Sequence, residues 1–207
     1  MLDYIKNMTQ RYPSLSSVEG EVRRAVDMLE QCYRNGGKIL LCGNGGSAAD
    51  CEHIAGELLK GFLSMRRPCE GELEKLTSEL GVEKAEILQR GIPAIPLVSF
   101  SGAISAFAND VSAELVYSQL VYALGRPSDV LIGLSTSGNS KNVVLAFKTA
   151  RAMGLSTIAL TGEAGGALSD LADVTIKVPE RETYKVQELH LPVYHAICAE
   201  LEARLFG

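Results

Sequence analysis

Tryptophan is absent from this 207-residue chain, and its seven tyrosines and five phenylalanines form no stripe on which bases could stack. Basic residues are not in excess either. Twenty Lys and Arg against 25 Asp and Glu leave a formal net charge of −5, with no basic stripe to follow a nucleic-acid backbone. No uninterrupted apolar run approaches the roughly 20 residues needed to cross a bilayer. The first residues, Met1-Leu2-Asp3-Tyr4-Ile5-Lys6, lack the apolar stretch of a signal peptide. The five cysteines (Cys32, Cys42, Cys51, Cys69 and Cys198) are odd in number and never in C-x-x-C spacing. They argue against a disulfide framework and for a reducing cytoplasm. These absences leave a globular protein, 46% hydrophobic and 22% charged, with enough chain to bury a full core.

What the chain does have is two serine- and glycine-rich turns, each where an apolar run hands over to a helical pattern. Gly43-Asn44-Gly45-Gly46-Ser47 follows Lys38-Ile39-Leu40-Leu41-Cys42, and Ser135-Thr136-Ser137-Gly138-Asn139-Ser140 follows Asp129-Val130-Leu131-Ile132-Gly133-Leu134. A helix start offers unpaired N–H groups and partial positive charge, and small residues let an anion approach. Hydroxyls at Ser47, Ser135, Thr136, Ser137 and Ser140 would add neutral donors. The pattern points to phosphorylated small molecules bound without an Arg or Lys clamp.

The remaining periodicity gives an architecture. Apolar residues at Val22, Ala25, Val26, Met28 and Leu29 predict an amphipathic helix, with Ser14, Ser16 or Ser17 as cap and Asn35-Gly36-Gly37 as its end. Short apolar runs follow at 39–42, 94–98, 130–134, 157–160 and 174–178, separated by helix-length stretches. Such alternation predicts an α/β fold, a doubly wound parallel sheet flanked by helices, with ligands at the carboxyl ends of its strands. One stretch, 69–91, departs from it. Six glutamates, two lysines and an arginine surround Leu73, Leu76 and Leu80, and Gly81 interrupts them. It reads as a charged helix or helical pair inserted before the second strand, either a solvated excursion or a lid or subunit contact.

Two candidate clusters carry chemistry. His53 and Glu57, four residues apart, share one helix face after the first turn and could chelate a divalent metal or act as an acid–base pair. Near the C-terminus stand Gln187, Glu188, His190 and His195, which hold two of only three histidines. Gln187 and His195 lie roughly on one side of a helix, about 80° apart. Pro192 should remove one ladder bond there and kink the helix. Geometry leaves the choice between His190 and His195 open. Cys42 reads as packing, and Cys51, one turn into the helix, as packing or a reactive thiol.

The runs Gly43-Asn44-Gly45-Gly46-Ser47, Leu134-Ser135-Thr136-Ser137-Gly138-Asn139-Ser140, Leu160-Thr161-Gly162 with Gly165-Gly166, and Gln187-Glu188-Leu189-His190 occur in an order that resembles the sugar isomerase (SIS) fold. Within it the chain most resembles the sedoheptulose-7-phosphate (phosphoheptose) isomerases, from about residue 15 to the end, outside 69–91. The resemblance implies a single flavodoxin-like sandwich over 1–207 with an N-terminal helix. It also implies a homotetramer with sites at subunit junctions, and a Zn²⁺ held by His53, Glu57, Gln187 and His195. By the same resemblance Glu57 and His195 are catalytic, and His195 rather than His190 is the second metal-site histidine. Phosphate and substrate fall to Asn44, Gly45, Gly46, Ser47, Asn109, Asp110, Ser135, Thr136, Ser137, Ser140 and Gln187. Tyr184 stands where many members of that family carry aspartate.

The implied activity is conversion of sedoheptulose 7-phosphate to D-glycero-D-manno-heptose 7-phosphate through an enediol, with isomerisation of another phosphorylated ketose as the neighbouring alternative. Two other classes compete. Non-catalytic SIS adaptors that associate with the replication initiator protein lack the acid and histidine matching Glu57 and His195. Sugar-phosphate sensors of transcription usually add a helix-turn-helix, for which the N-terminal stretch is too short and insufficiently basic.

Overall fold

The computed structural model describes residues 2–207. Among them, five strands form one parallel sheet: β1 (Ile39–Gly43), β2 (Ala94–Pro96), β3 (Val130–Leu134), β4 (Ser156–Thr161) and β5 (Val174–Lys177). Their order is β2-β1-β3-β4-β5. The chain leaves β1 towards one edge and β3 towards the other, so the strand order reverses between β1 and β3, where doubly wound sheets bind ligands. The register pairs Gly43 with Leu134, which ends both strands level and sets the two serine-rich turns side by side.

Both faces of the sheet are covered, which is why the strands read as unbroken apolar runs. Ile39, Leu41, Ile132 and Ile158 pack under α1 (Tyr4–Arg11), α2 (Glu19–Arg34), α3 (Gly46–Leu59) and α9 (Thr183–Phe206). Leu40, Cys42, Leu131 and Ala159 face α7 (Val116–Leu124) and α8 (Lys141–Ala152). At Gly133 an added Cβ would fall 2.3 Å from the Phe147 ring, so this strand position needs glycine for α8 to lie so close.

Two expectations need correction. The second strand stops at Pro96, because Leu97–Ser99 turns into a 3-10 coil in place of the extended run to residue 98. None of Ser14, Ser16 and Ser17 caps the amphipathic helix. They lie in a 3-10 segment, Pro13–Val18, which leads into α2 with no side-chain cap. Ahead of it stands α1, capped by Asp3 accepting the Lys6 N–H at 2.8 Å. Pro192 lies inside α9, and the helix continues past it to Phe206.

The charged stretch forms α4 (Glu70–Leu80) and α5 (Val82–Glu86), with Gly81 between them at φ 79°. None of the α4 side chains is buried, and Ala85 is the one anchor of α5. A shorter segment ahead of it is tied down firmly. Glu202 of α9 accepts N–H bonds from Phe62, Leu63 and Ser64 and pairs with Arg66 at 2.6 Å. Arg66 also donates to the Leu58 and Glu57 carbonyls at the end of α3. The buried pair therefore fastens the exit of α3 to the last turns of the chain.

Candidate active site

The first turn is built on Gly45, whose φ of 56° lies in the left-handed region and leads into α3. Ser47 is buried, while Asn44, Gly45 and Gly46 are exposed, leaving the start of α3 open to a ligand. The second turn depends on Gly138, at φ +67°, where a Cβ would lie 1.9 Å from the Gly165 carbonyl. Backbone there meets backbone from the loop after β4. The Ser135 and Ser140 hydroxyls bond each other at 2.9 Å, and Ser137 Oγ accepts from the Asn139 N–H at 3.1 Å. Thr136 is half-buried between them.

The two turns are joined by a residue that sequence reasoning passed over. Asn44 and Asn142 exchange amide hydrogen bonds in both directions, each 2.9 Å long. Asn142 sits in the first turn of α8, directly after the serine run, and that placement was the signal available. The cradle is thus neutral throughout, made of amides, hydroxyls and helix N-termini. Asn109 and Asp110 lie in a π-helical segment after α6 (Ser101–Phe107), both exposed and bonded to each other at 2.8 Å.

Helices α3 and α9 run alongside each other and order the rest of the site. Gln187 lies against the start of α3, so close that a Cβ on Gly46 would fall 2.7 Å from its amide nitrogen. Two turns further on, His53 Nε2 stands 3.3 Å from Glu57 Oε1, as the spacing of four predicts. The His195 ring meets the His53 ring edge to face with centroids 5.1 Å apart. His53, Glu57 and His195 are therefore brought together. Gln187 and His195 are eight residues apart, or about 12 Å along a helix axis. Gln187 belongs to the cradle end.

Charge is concentrated at the His53 end. Burial pushes the Glu57 carboxyl up, but a 2.9 Å bond to Lys60, its charge and that of His53 outweigh this and hold Glu57 below the usual range. Burial and the neighbouring His53 push His195 down, favouring neutral imidazole. His195 also lines a cleft of about 280 Å³ shared with Arg11 of α1 and with Phe62.

His190 points elsewhere. It is fully buried, and among the described residues neither ring nitrogen has a hydrogen-bond partner. Burial pushes it down to about 4, with the Thr161 carbonyl opposing. Of the two histidines, His195 and not His190 stands beside His53. Cys51 is corrected as a candidate reactive thiol: it is wholly buried, and burial drives it well above its ordinary value. Cys42 likewise is packed and pushed up to about 12. Tyr184 is exposed on the first turn of α9.

His53, Glu57 and His195 are donor types that suit a divalent cation. His53 turns Nδ1 to Tyr194 at 2.9 Å and Nε2 to the Glu57 carboxylate, so a proton or a cation belongs between the last two. This pair fits a metal. Among the described residues, however, no three His, Cys, Asp or Glu side chains are grouped to hold one, so one chain does not assemble the four-ligand set.

The family model described as the SIS domain matches residues 3–162. A phosphoheptose isomerase from Akkermansia muciniphila is 36% identical over 211 residues, covering 100% of both chains. The solved phosphoheptose isomerase of Neisseria gonorrhoeae is 34% identical with a TM-score of 0.72, covering 95% of this chain and 91% of that one. That of Francisella tularensis is 28% identical at a TM-score of 0.78, covering 97% and 95%. With its sheet order, its paired turns and its histidine–carboxylate pair, the chain belongs to the phosphoheptose isomerase family of SIS domain proteins.

Proposed function

We propose that the protein interconverts sedoheptulose 7-phosphate and D-glycero-D-manno-heptose 7-phosphate. The observation that carries this is the convergence of His53, Glu57 and His195 on the α3–α9 seam, beside a neutral anion cradle. The phosphate sits on the N-termini of α3 and α8, among Gly45, Gly46, Ser47, Ser135, Thr136, Ser137 and Ser140. It acts as a handle whose binding orients the reacting carbons. Asn44, Asn109, Asp110 and Gln187 hold the sugar hydroxyls.

Glu57, held ionised by Lys60, takes a proton from C1 of the ketose while a proton reaches O2, which gives the enediol. Returning the carbon-bound proton to C2 and removing the one on O1 leaves the aldehyde. His195, mainly neutral, serves the oxygens through its ring N–H, stabilising developing negative charge. A zinc ion belongs to the same reading: His53 and Glu57 would be its first ligands, with Gln187 and His195 completing a set that a single chain does not assemble. When bound, it would supply Lewis-acid polarisation of the carbonyl.

A homotetramer in the cytoplasm completes the proposal. Five free cysteines suit a reducing compartment, and among the described residues no helix is long and apolar enough to cross a membrane. Light scattering should give about four times the 22.2 kDa chain mass. Elemental analysis of protein purified without chelator should give about one zinc per chain.

The deciding experiment incubates the protein with sedoheptulose 7-phosphate and follows the sugar by NMR. Appearance of the aldoheptose phosphate is expected. No conversion of it or of any other phosphorylated ketose in a panel would overturn the isomerase reading. Conversion of a different ketose would move the specificity, and exposed Tyr184 at the head of α9 is the feature that favours testing it. Recovery of a protein partner with no turnover would support the adaptor class instead.

A further inference from the structure

Tyr194 is a feature that the reaction scheme leaves unused. Its ring is 2% exposed in the seam between α3 and α9, where packing alone would be served by phenylalanine. Its hydroxyl, however, has two polar partners on the facing helix: Asp50 Oδ1 at 3.2 Å and His53 Nδ1 at 2.9 Å. The three groups form a chain from a half-buried carboxylate, through a phenol, to the imidazole that faces Glu57.

The direction of that chain follows from counting protons. A carboxylate only accepts, so the single Tyr194 O–H proton goes to Asp50. The phenol oxygen then has only lone pairs to offer His53, and Nδ1 must bring the hydrogen. In neutral imidazole Nε2 then keeps its lone pair, 3.3 Å from Glu57 Oε1, where a proton or a cation belongs. His190, one turn earlier on α9, is the internal contrast. It is equally buried, and among the described residues no side chain bonds either ring nitrogen to choose its tautomer.

We infer that Tyr194, anchored by Asp50, is a positioning residue that fixes His53 as the Nδ1–H tautomer and presents its Nε2 lone pair to the reaction centre beside Glu57. The inference rests on the isomerase reading only in taking that pair as the reaction centre. The tautomer itself is a property of the protein without substrate. A histidine that works through one nitrogen commonly has its other N–H held by an acidic or carbonyl group, and losing that partner costs about 10–100-fold. Here the carboxylate is one residue removed, and the phenol transmits its preference.

The test is ¹⁵N–¹H NMR of histidine-labelled protein as purified, in mildly alkaline buffer. With only three histidines, the spectrum is assignable by substitution. His53 should carry its proton on Nδ1, whether Nε2 holds a lone pair or a metal. In Tyr194→Phe, which keeps the ring, that preference should be lost. The kcat should fall about 10- to 100-fold with KM changed by no more than about twofold. Asp50→Asn removes the obligatory acceptor and lets the chain run either way, so mixed tautomers are expected. A proton on Nε2 in the wild type, or a His53 spectrum unchanged in both variants, overturns the inference. Should Tyr194→Phe fail to fold, the wild-type and Asp50→Asn spectra decide it. A correct tautomer pattern in protein that turns over no sugar phosphate would sink the isomerase reading alone.

Discussion

The two ends of the α3–α9 seam solve different problems with different residues. At the amino end, Gly46, Gln187, the serine-rich turns and the Asn44–Asn142 pair offer amides, hydroxyls and helix dipoles. At the other end, Asp50, His53, Glu57, Lys60 and His195 crowd titratable groups into about three helical turns. A permanently charged phosphate needs many weak donors in fixed places. Proton transfer needs few groups, each with a tuned affinity for a proton. Holding the two sets apart on rigid helices lets the anion bind without disturbing the carboxylate that must stay basic.

If that division is real, substitutions at the two ends should separate turnover from binding. The largest effect is expected for Glu57→Gln, which should lose at least about 100-fold in turnover while sugar phosphate still binds. Steady-state rates with a calorimetric titration would check this, and near-full activity would remove Glu57 as base.

His190 gives the next effect, because it lies by Thr161 at the uncharged end. Its folded value of about 4 is below the ordinary 6.5, so the unfolded chain takes up the proton first. Its contribution is therefore complete above about pH 6.5 and is lost as pH falls towards 4, on the order of 3 kcal/mol in all. Thermal unfolding against pH should show that slope in the wild type and a flatter one in His190→Leu.

Ser135→Ala should act more gently and in the opposite sense to Glu57→Gln. One neutral donor lost is worth about 0.5–1.5 kcal/mol, so KM for the sugar phosphate should rise about two- to twelvefold with kcat nearly constant. A kcat loss larger than the KM change would show that the two ends are not independent. The smallest effect is expected in α4, none of whose side chains is buried. Leu76→Asp should move stability by no more than about 0.5 kcal/mol. Protection of 69–91 from hydrogen exchange on adding ligand would make the segment a lid; unchanged exchange would leave it a surface excursion.

Much of this was legible in advance because it depends on local pattern. The unbroken apolar runs gave the buried strands, glycine and serine gave the turns, and a spacing of four gave the His53–Glu57 pair. Gly81 between two charged helical stretches marked the break between α4 and α5. The misses are of another kind. Pro96 ended β2 early because its neighbours turn into a 3-10 coil, a tertiary choice that overrides apolar composition. The partners of Asn142, Asp50 and Tyr194 became visible only once separate elements were packed together, since they are 98, 144 and 141 residues away. Gln187 was legible as a residue sharing a side of its helix with His195, and its contact with Gly46 came only from packing.

The clasp between Glu202 and the segment after α3 has a practical consequence for anyone handling this protein. Glu202 stands five residues from Gly207, yet it anchors the backbone that seals the exit of the helix bearing Glu57. Shortening the tail by two turns, or fusing a bulky tag so that those turns unwind, would strip the Arg66 guanidinium of its counter-charge. An affinity handle therefore belongs at the other terminus.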